Sequence, residues 1–227
     1  MDWIHKYQLF LFDFDGLLVN TEEIHFQAYV RMCAQRGFLL DWSLERFFEA
    51  AHHEADGLRK HIYAHLPTLF AQEPDWNILY AEKKQHFLAL LAEGAVQLMP
   101  GVADLLHALD TAQIKRCVVT HSETRLVNAI RRQNPLLDTI PMWLTREDYT
   151  HPKPHPECYL QAIKKWAKAD EAVIGFEDSP RGLKALMGTH AQPVLIGSTP
   201  YPQIPDFLAL GVRHYASFKD LNHPWTA

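Results

Sequence analysis

The sequence predicts an α/β fold: a Rossmann-like, doubly wound parallel sheet core with an inserted α-helical domain. Three observations lead there. Short apolar runs over residues 7–12, 115–119 and 172–176 read as buried strands, and each is followed closely by carboxylate or hydroxyl side chains. From residue 102 onward helical and strand patterns alternate, which places helices on both faces of a parallel sheet. Residues 20–95 carry helical periodicity with no strand pattern, so they read as an insertion. The core is therefore expected over 1–19 and 96–227 and the helical domain over 20–95.

The first strand is Tyr7-Gln8-Leu9-Phe10-Leu11-Phe12. In the insertion, Phe26, Tyr29, Val30 and Cys33 fall at helical spacing, and Gly37 stops that helix. Leu44, Phe47, Phe48 and Ala51 mark a second short helix. Leu58, Ile62 and Leu66 mark a third, ended by Pro67. Trp76, Leu79, Tyr80, Phe87, Leu90 and Leu91 mark a long fourth. Met99-Pro100-Gly101 punctuates the return to the core. A helix over 102–112 precedes the strand ending at Thr120, and a helix over 123–133 precedes a strand at Met142-Trp143-Leu144. A helix over 156–167 precedes the strand Ala172-Val173-Ile174-Gly175-Phe176. Pro193–Ile196 and Val212–Tyr215 complete the candidates.

Composition narrows the function classes. The 227 residues suit one large domain or two modest ones, and 48% hydrophobic with 22% charged residues is ordinary for a globular protein. A net charge of −5 gives no electrostatic case for nucleic acid. No apolar run approaches a membrane span, and the N-terminal apolar stretch ends at Asp13 without a cleavage signal. Three scattered cysteines form no disulfide framework, so a cytoplasmic location is expected. The fourteen histidines fall in no recognised metal-binding spacing.

Asp13-Phe14-Asp15-Gly16 carries the chemistry. Residues two apart on a strand share a side, so two carboxylates converge where an apolar strand ends, with Gly16 permitting a tight turn. Two like charges there call for neutralisation, and Mg²⁺ prefers oxygen ligands. Thr120 lies at the end of a second strand, Lys153 sits among prolines in His151-Pro152-Lys153-Pro154-His155-Pro156, and Glu177-Asp178-Ser179 follows a third strand. Ligands of such sheets bind outside the carboxyl ends of the strands, where these groups fall.

In this order the four segments resemble the motifs of the haloacid dehalogenase-like superfamily of phosphohydrolases and phosphomutases, over nearly the whole chain. The resemblance implies a helical cap at 20–95, hinged near 18–20 and 94–100, and a Mg²⁺-dependent phosphatase working through an aspartyl-phosphate. It implies Asp13 as nucleophile and Asp15 as general acid and base, its backbone carbonyl also on Mg²⁺. Thr120 and the His121 amide are expected on phosphate oxygens, and Lys153 as the compensating charge. The expected metal set is Asp13, Asp15, Asp178 and Glu177, the last either as a ligand or as a support to one. Gly182 is expected to let the next helix approach closely.

Departures from the family pattern bear on specificity. Helical-cap members often carry Asp after the first loop; this chain has Asn20, and Asn20 or Thr21 can cap the next helix. His25 matches a position used in beta-phosphoglucomutase. The cap Arg with which that mutase grips a second phosphate is missing here, where His52-His53 stands; Arg59 lies at least a turn further on. This favours hydrolysis over mutase activity. His52, His53 and Asp56 are candidates for substrate selection, and Glu22 and His25 for lining the cleft. A dehalogenase needs neither a metal nor a second acid, so Asp15 and Asp178 argue against it. A phosphonate hydrolase would use a cap lysine, and Lys60 has no special context. A non-catalytic binding module would have lost Asp13, Asp15 or Lys153, and all are present. The expected partner is a small phosphorylated metabolite such as a sugar phosphate or phosphoglycolate.

Overall fold

The computed structural model describes residues 1–52, 56–94 and 96–222. The chain divides into two compact units. One is Thr21–Val96; the other joins Met1–Asn20 to the described residues of Gln97–Ala227.

The two-segment unit holds a six-stranded sheet: β1 Leu9–Phe12, β2 Lys115–Val119, β3 Met142–Leu144, β4 Val173–Glu177, β5 Gln192–Ile196 and β6 Arg213–Tyr215. The order is β3-β2-β1-β4-β5-β6 and every pairing is parallel. All of β1 and all of β4 are buried, as strands covered on both faces must be. Phe12 and Phe176 stack at 5.3 Å, and Phe218 closes on both. The register sets Phe12 level with Val118 on one side and Phe176 on the other. Asp13, Thr120 and Glu177 therefore emerge at one edge of the sheet. The chain winds outward in opposite directions from β1 and β4, so this edge is also a topological switch point.

The core helices of this unit are expected at 102–112, 123–133 and 156–167 and lie at Val102–Thr111, Thr124–Arg131 and Glu157–Trp166. The further helices Pro180–Met187 and Ile204–Ala209 carry Pro in the first turn, where a missing N–H costs nothing. The two segments that leave and re-enter this unit are paired to each other: Leu18 O accepts from Met99 N at 2.9 Å and Gln97 O from Asn20 N at 2.9 Å.

The helical unit contains α1 Glu22–Gln35, α2 Leu44–His52, α3 Gly57–His65, α4 Pro67–Gln72 and α5 Trp76–Glu93. Its core gathers Phe26, Tyr29, Met32, Phe47, Ile62, Leu69 and Leu79. Helix α1 packs along α5, and a two-pronged Arg36–Glu82 pair at 2.6 and 2.9 Å ties the end of the first to the middle of the second. Pro67 ends the third helix as its ring requires, but it also opens α4, a helix the periodicity does not reveal. Thr21 occupies the N-cap of α1 without a side-chain capping bond. Among the described residues no helix is long and apolar enough to cross a membrane.

Candidate active site

Asp13 leaves β1 with its N–H donating to Phe176 O at 3.0 Å, which holds the residue at the sheet edge. Gly16 follows at φ 76°, a left-handed conformation that glycine adopts at no steric cost and that folds the chain back behind the two carboxylates. Asp13 is 9% exposed.

Its partner is Lys153, which is 3% exposed. The ammonium reaches four oxygens: Asp13 Oδ1 at 2.6 Å, Glu177 Oε1 at 2.7 Å, Val119 O at 2.9 Å and the Tyr159 hydroxyl at 3.1 Å. Burial opposes its charge, but Asp13 and then Glu177 outweigh it, so Lys153 is held well above its usual range. Burial pushes the Asp13 carboxyl up to about 7 against the pull of Lys153, with the Glu177 charge adding to the rise. Tyr159 donates to Glu177 Oε1 in a short contact.

Asp15 is held differently. Its Oδ2 accepts from Ser122 Oγ at 2.6 Å and from Thr120 Oγ1 at 3.4 Å, while Thr120 Oγ1 accepts from Ser122 N at 2.9 Å. The Thr120 hydroxyl, expected on phosphate, is fully buried and turned toward Asp15 and Ser122. Its N–H is taken by Leu144 O at 2.9 Å. Ser122 is thus the site residue that sequence reasoning missed. It stands in the short loop between β2 and the helix that begins at Thr124, where no pattern marks it.

Asp13, Glu177 and Asp178 each offer a carboxylate oxygen, all within 4.8 Å of one another. Neighbours on a strand point apart, but β4 ends at Glu177 and the chain bends at Asp178, so both acids reach the same place. Glu177 is fully buried, and its Oε2 has no hydrogen-bond partner among the described residues. An orphaned carboxylate oxygen beside two other acids fits a hard dication, which would satisfy it. Gly182 stands against this carboxylate. A Cβ at that position would overlap Glu177 itself, a tighter constraint than the expected helix approach.

His121 lies beside this edge, its Nδ1 3.2 Å from the Tyr149 hydroxyl, which itself donates to Thr120 O at 3.0 Å. Tyr149 has spent its proton on that carbonyl, so His121 Nδ1 carries the hydrogen between the two rings. Burial, and then the Arg181 and Arg146 charges, lower its pKa to about 3. The folded value is below the unfolded one, so this contribution to stability is present above pH ~6.5 and is lost as pH falls toward 3. Relative to His121→Asn, the wild type is expected to lose about 2 kcal/mol between pH 6.5 and 5, read from urea unfolding at each pH. An unchanged difference between the two proteins across that window would refute the assignment.

The remaining candidates lie in the helical unit. His25 stacks on Phe87 at 4.3 Å, and its Nδ1 is 2.6 Å from the ammonium of the buried Lys83. Asp56, at the N-cap of α3, bonds Arg59 at 2.7 Å and Lys60 at 3.1 Å, so both cations are engaged at the start of their own helix. Glu22 opens α1. His52 ends α2, but its side chain, and all of His53, lie outside the described residues.

A family model described as haloacid dehalogenase-like hydrolase matches residues 10–192. The chain is 28% identical over 208 residues to Protein CbbY of Rhodobacter capsulatus, spanning 89% of this chain and 90% of that one. It is 29% identical over 175 residues to a protein of Thermotoga maritima named phosphorylated carbohydrates phosphatase, spanning 77% and 78%. The crystal structure of CbbY from Rhodobacter sphaeroides in complex with phosphate superposes with a TM-score of 0.77 at 25% identity, covering 95% of this chain and 96% of that one.

Proposed function

We propose that this chain, which belongs to the haloacid dehalogenase-like hydrolase family, is a phosphoric monoester hydrolase acting on a small phosphorylated carbohydrate or similar metabolite. The observation that carries the reading is the buried Lys153, shared between Asp13 and Glu177 at the edge where Asp15 and Asp178 also emerge. A substrate of this class agrees with the name of the Thermotoga maritima relative and with the phosphate bound in CbbY. The three free, buried cysteines suit a reducing cytoplasm.

In this reading Asp13 attacks phosphorus and becomes the aspartyl-phosphate, and Lys153 offsets the charge that gathers on the transferring group. Asp15 gives its proton to the departing alkoxide and then takes one from the attacking water. Ser122 and Thr120 orient Asp15 for that exchange through its Oδ2. At the β2 edge, Leu144 O and Thr120 Oγ1 take the amides of Thr120 and Ser122. The His121 amide is the donor assigned to a phosphate oxygen. Asp13, Asp178 and the Asp15 backbone carbonyl would hold Mg²⁺, with Glu177 as ligand or support. Bound there, the ion supplies Lewis-acid stabilisation of phosphoryl oxygens.

The test is released phosphate from a panel of hexose and pentose phosphates, glycerol phosphate and phosphoglycolate. Turnover is expected with Mg²⁺, to vanish with EDTA and to return on adding Mg²⁺ back. Full activity in metal-free buffer would refute the metal assignment. The same protein, given beta-glucose 1-phosphate and a trace of the bisphosphate, is expected to release phosphate faster than it forms glucose 6-phosphate. Arg59, spent on Asp56, favours that outcome. Faster isomerisation would replace the phosphatase reading with a mutase.

A further inference from the structure

We infer that His151, His155 and Glu157 form a second metal site, of the zinc class, on the loop that carries Lys153. The three side chains each present a ligand atom, all within 4.8 Å of one another. Two imidazoles and one carboxylate are a zinc-type donor set, unlike the all-carboxylate set at Asp13, Glu177 and Asp178.

The chain builds this arrangement deliberately. Pro152, Pro154 and Pro156 alternate with the residues of interest and fix φ at every second position. His155 N donates to Pro152 O at 3.0 Å, closing a turn that brings the two imidazole rings to 4.7 Å between centroids. Glu157 opens the following helix, and its carboxylate is anchored by backbone donors, Thr150 N at 2.9 Å and His151 N at 2.8 Å, and by Gln161 Nε2 at 3.1 Å. Those backbone donors hold it well below the usual carboxylate range. Its Oε2 lies 2.5 Å from His151 Nδ1. A dication bound between imidazole and carboxylate would replace that contact. The backbone that carries the ligands is a stiff turn, so little backbone ordering entropy opposes binding. Both imidazoles are exposed, so they can turn to close on a zinc ion. One coordination position remains for water.

A metal here joins both ends of the segment His151–Glu157, and Lys153 lies between them. The inference does not depend on the phosphatase reading. The experiment is calorimetric titration of Zn²⁺ into the whole protein in millimolar Mg²⁺, with thermal melting as the second readout. One Zn²⁺ per chain is expected, with a dissociation constant on the order of a micromolar, weaker than a closed four-ligand site. The double variant His151→Asn/His155→Asn is expected to lose at least ~100-fold in affinity, since even residues that only support a ligand are worth ~10–100-fold. Zn²⁺ should raise the melting temperature of the wild type and not that of the double variant. Asp178→Asn should keep the Zn²⁺ affinity. Unchanged affinity in the histidine variant, loss of binding in Asp178→Asn, or no binding by the wild type below 100-fold that dissociation constant would each overturn the site.

Discussion

Asp13→Asn is expected to cut phosphate release at least ~10³-fold, the scale seen when a member of a catalytic unit is removed. The amide keeps the shape of the carboxylate and can still accept from Lys153 through its oxygen, but it cannot attack phosphorus. The loss should appear in kcat rather than in KM, because the side chain reacts instead of gripping the remote part of the substrate. Stability should move the other way. Burial pushes the Asp13 carboxyl up to about 7, so the fold holds its ionised form at a cost that the neutral amide does not incur. The metal-free variant is therefore expected to melt no lower than metal-free wild type at pH 8. Retention of more than a tenth of the activity would end the covalent mechanism. A collapse in melting temperature would mean that the carboxylate is structural.

The sequence is legible where one residue type serves one purpose. Asp13, Asp15 and Asp178 stand out because charge at the ends of apolar strands has no structural excuse, and Lys153 because it sits in a stiff proline-flanked segment at its place in the motif order. The apolar run at 7–12 located β1 and the alternating pattern the five other strands among the described residues, with β3 where its three apolar residues stand. Legibility fails where a side chain works through geometry. Ser122 is one hydroxyl in a loop, and only the fold turns it onto Asp15. Tyr159 sits in a run with Cys158, Ala162 and Ile163 that reads as an apolar helix face; its hydroxyl on Glu177 shows nowhere in that pattern. Gly182 was visible as a close approach, yet the group approached was not. The histidines at 151 and 155 seemed scattered because their ligand partner, Glu157, is recruited by a turn rather than by a helical repeat. Helix α4 was hidden because a proline that ends one helix can also begin the next.

Lys153→Met should abolish activity and destabilise the protein by about 3–5 kcal/mol, the range for removing one member of a buried ion pair. The lysine is the cation described between two buried carboxylates, Asp13 at 2.6 Å and Glu177 at 2.7 Å. Methionine fills much the same volume, so the loss is not a cavity effect. It arises because two acids are left facing each other with neither water nor a cation to offset them. Lys153→Arg is not expected to rescue, since four oxygens lie within 3.1 Å of Nζ and the planar guanidinium is too large for that space. The electrostatic origin can be separated from a packing one. If repulsion dominates, adding Glu177→Gln to Lys153→Met removes one of the two opposed charges, and the double variant should be more stable than the single. Urea unfolding of the wild type, both single variants and the double supplies the cycle. A double variant less stable than Lys153→Met, with the two losses simply adding, would mean that the ammonium stabilises the fold through its bonds to Val119 O and the Tyr159 hydroxyl instead.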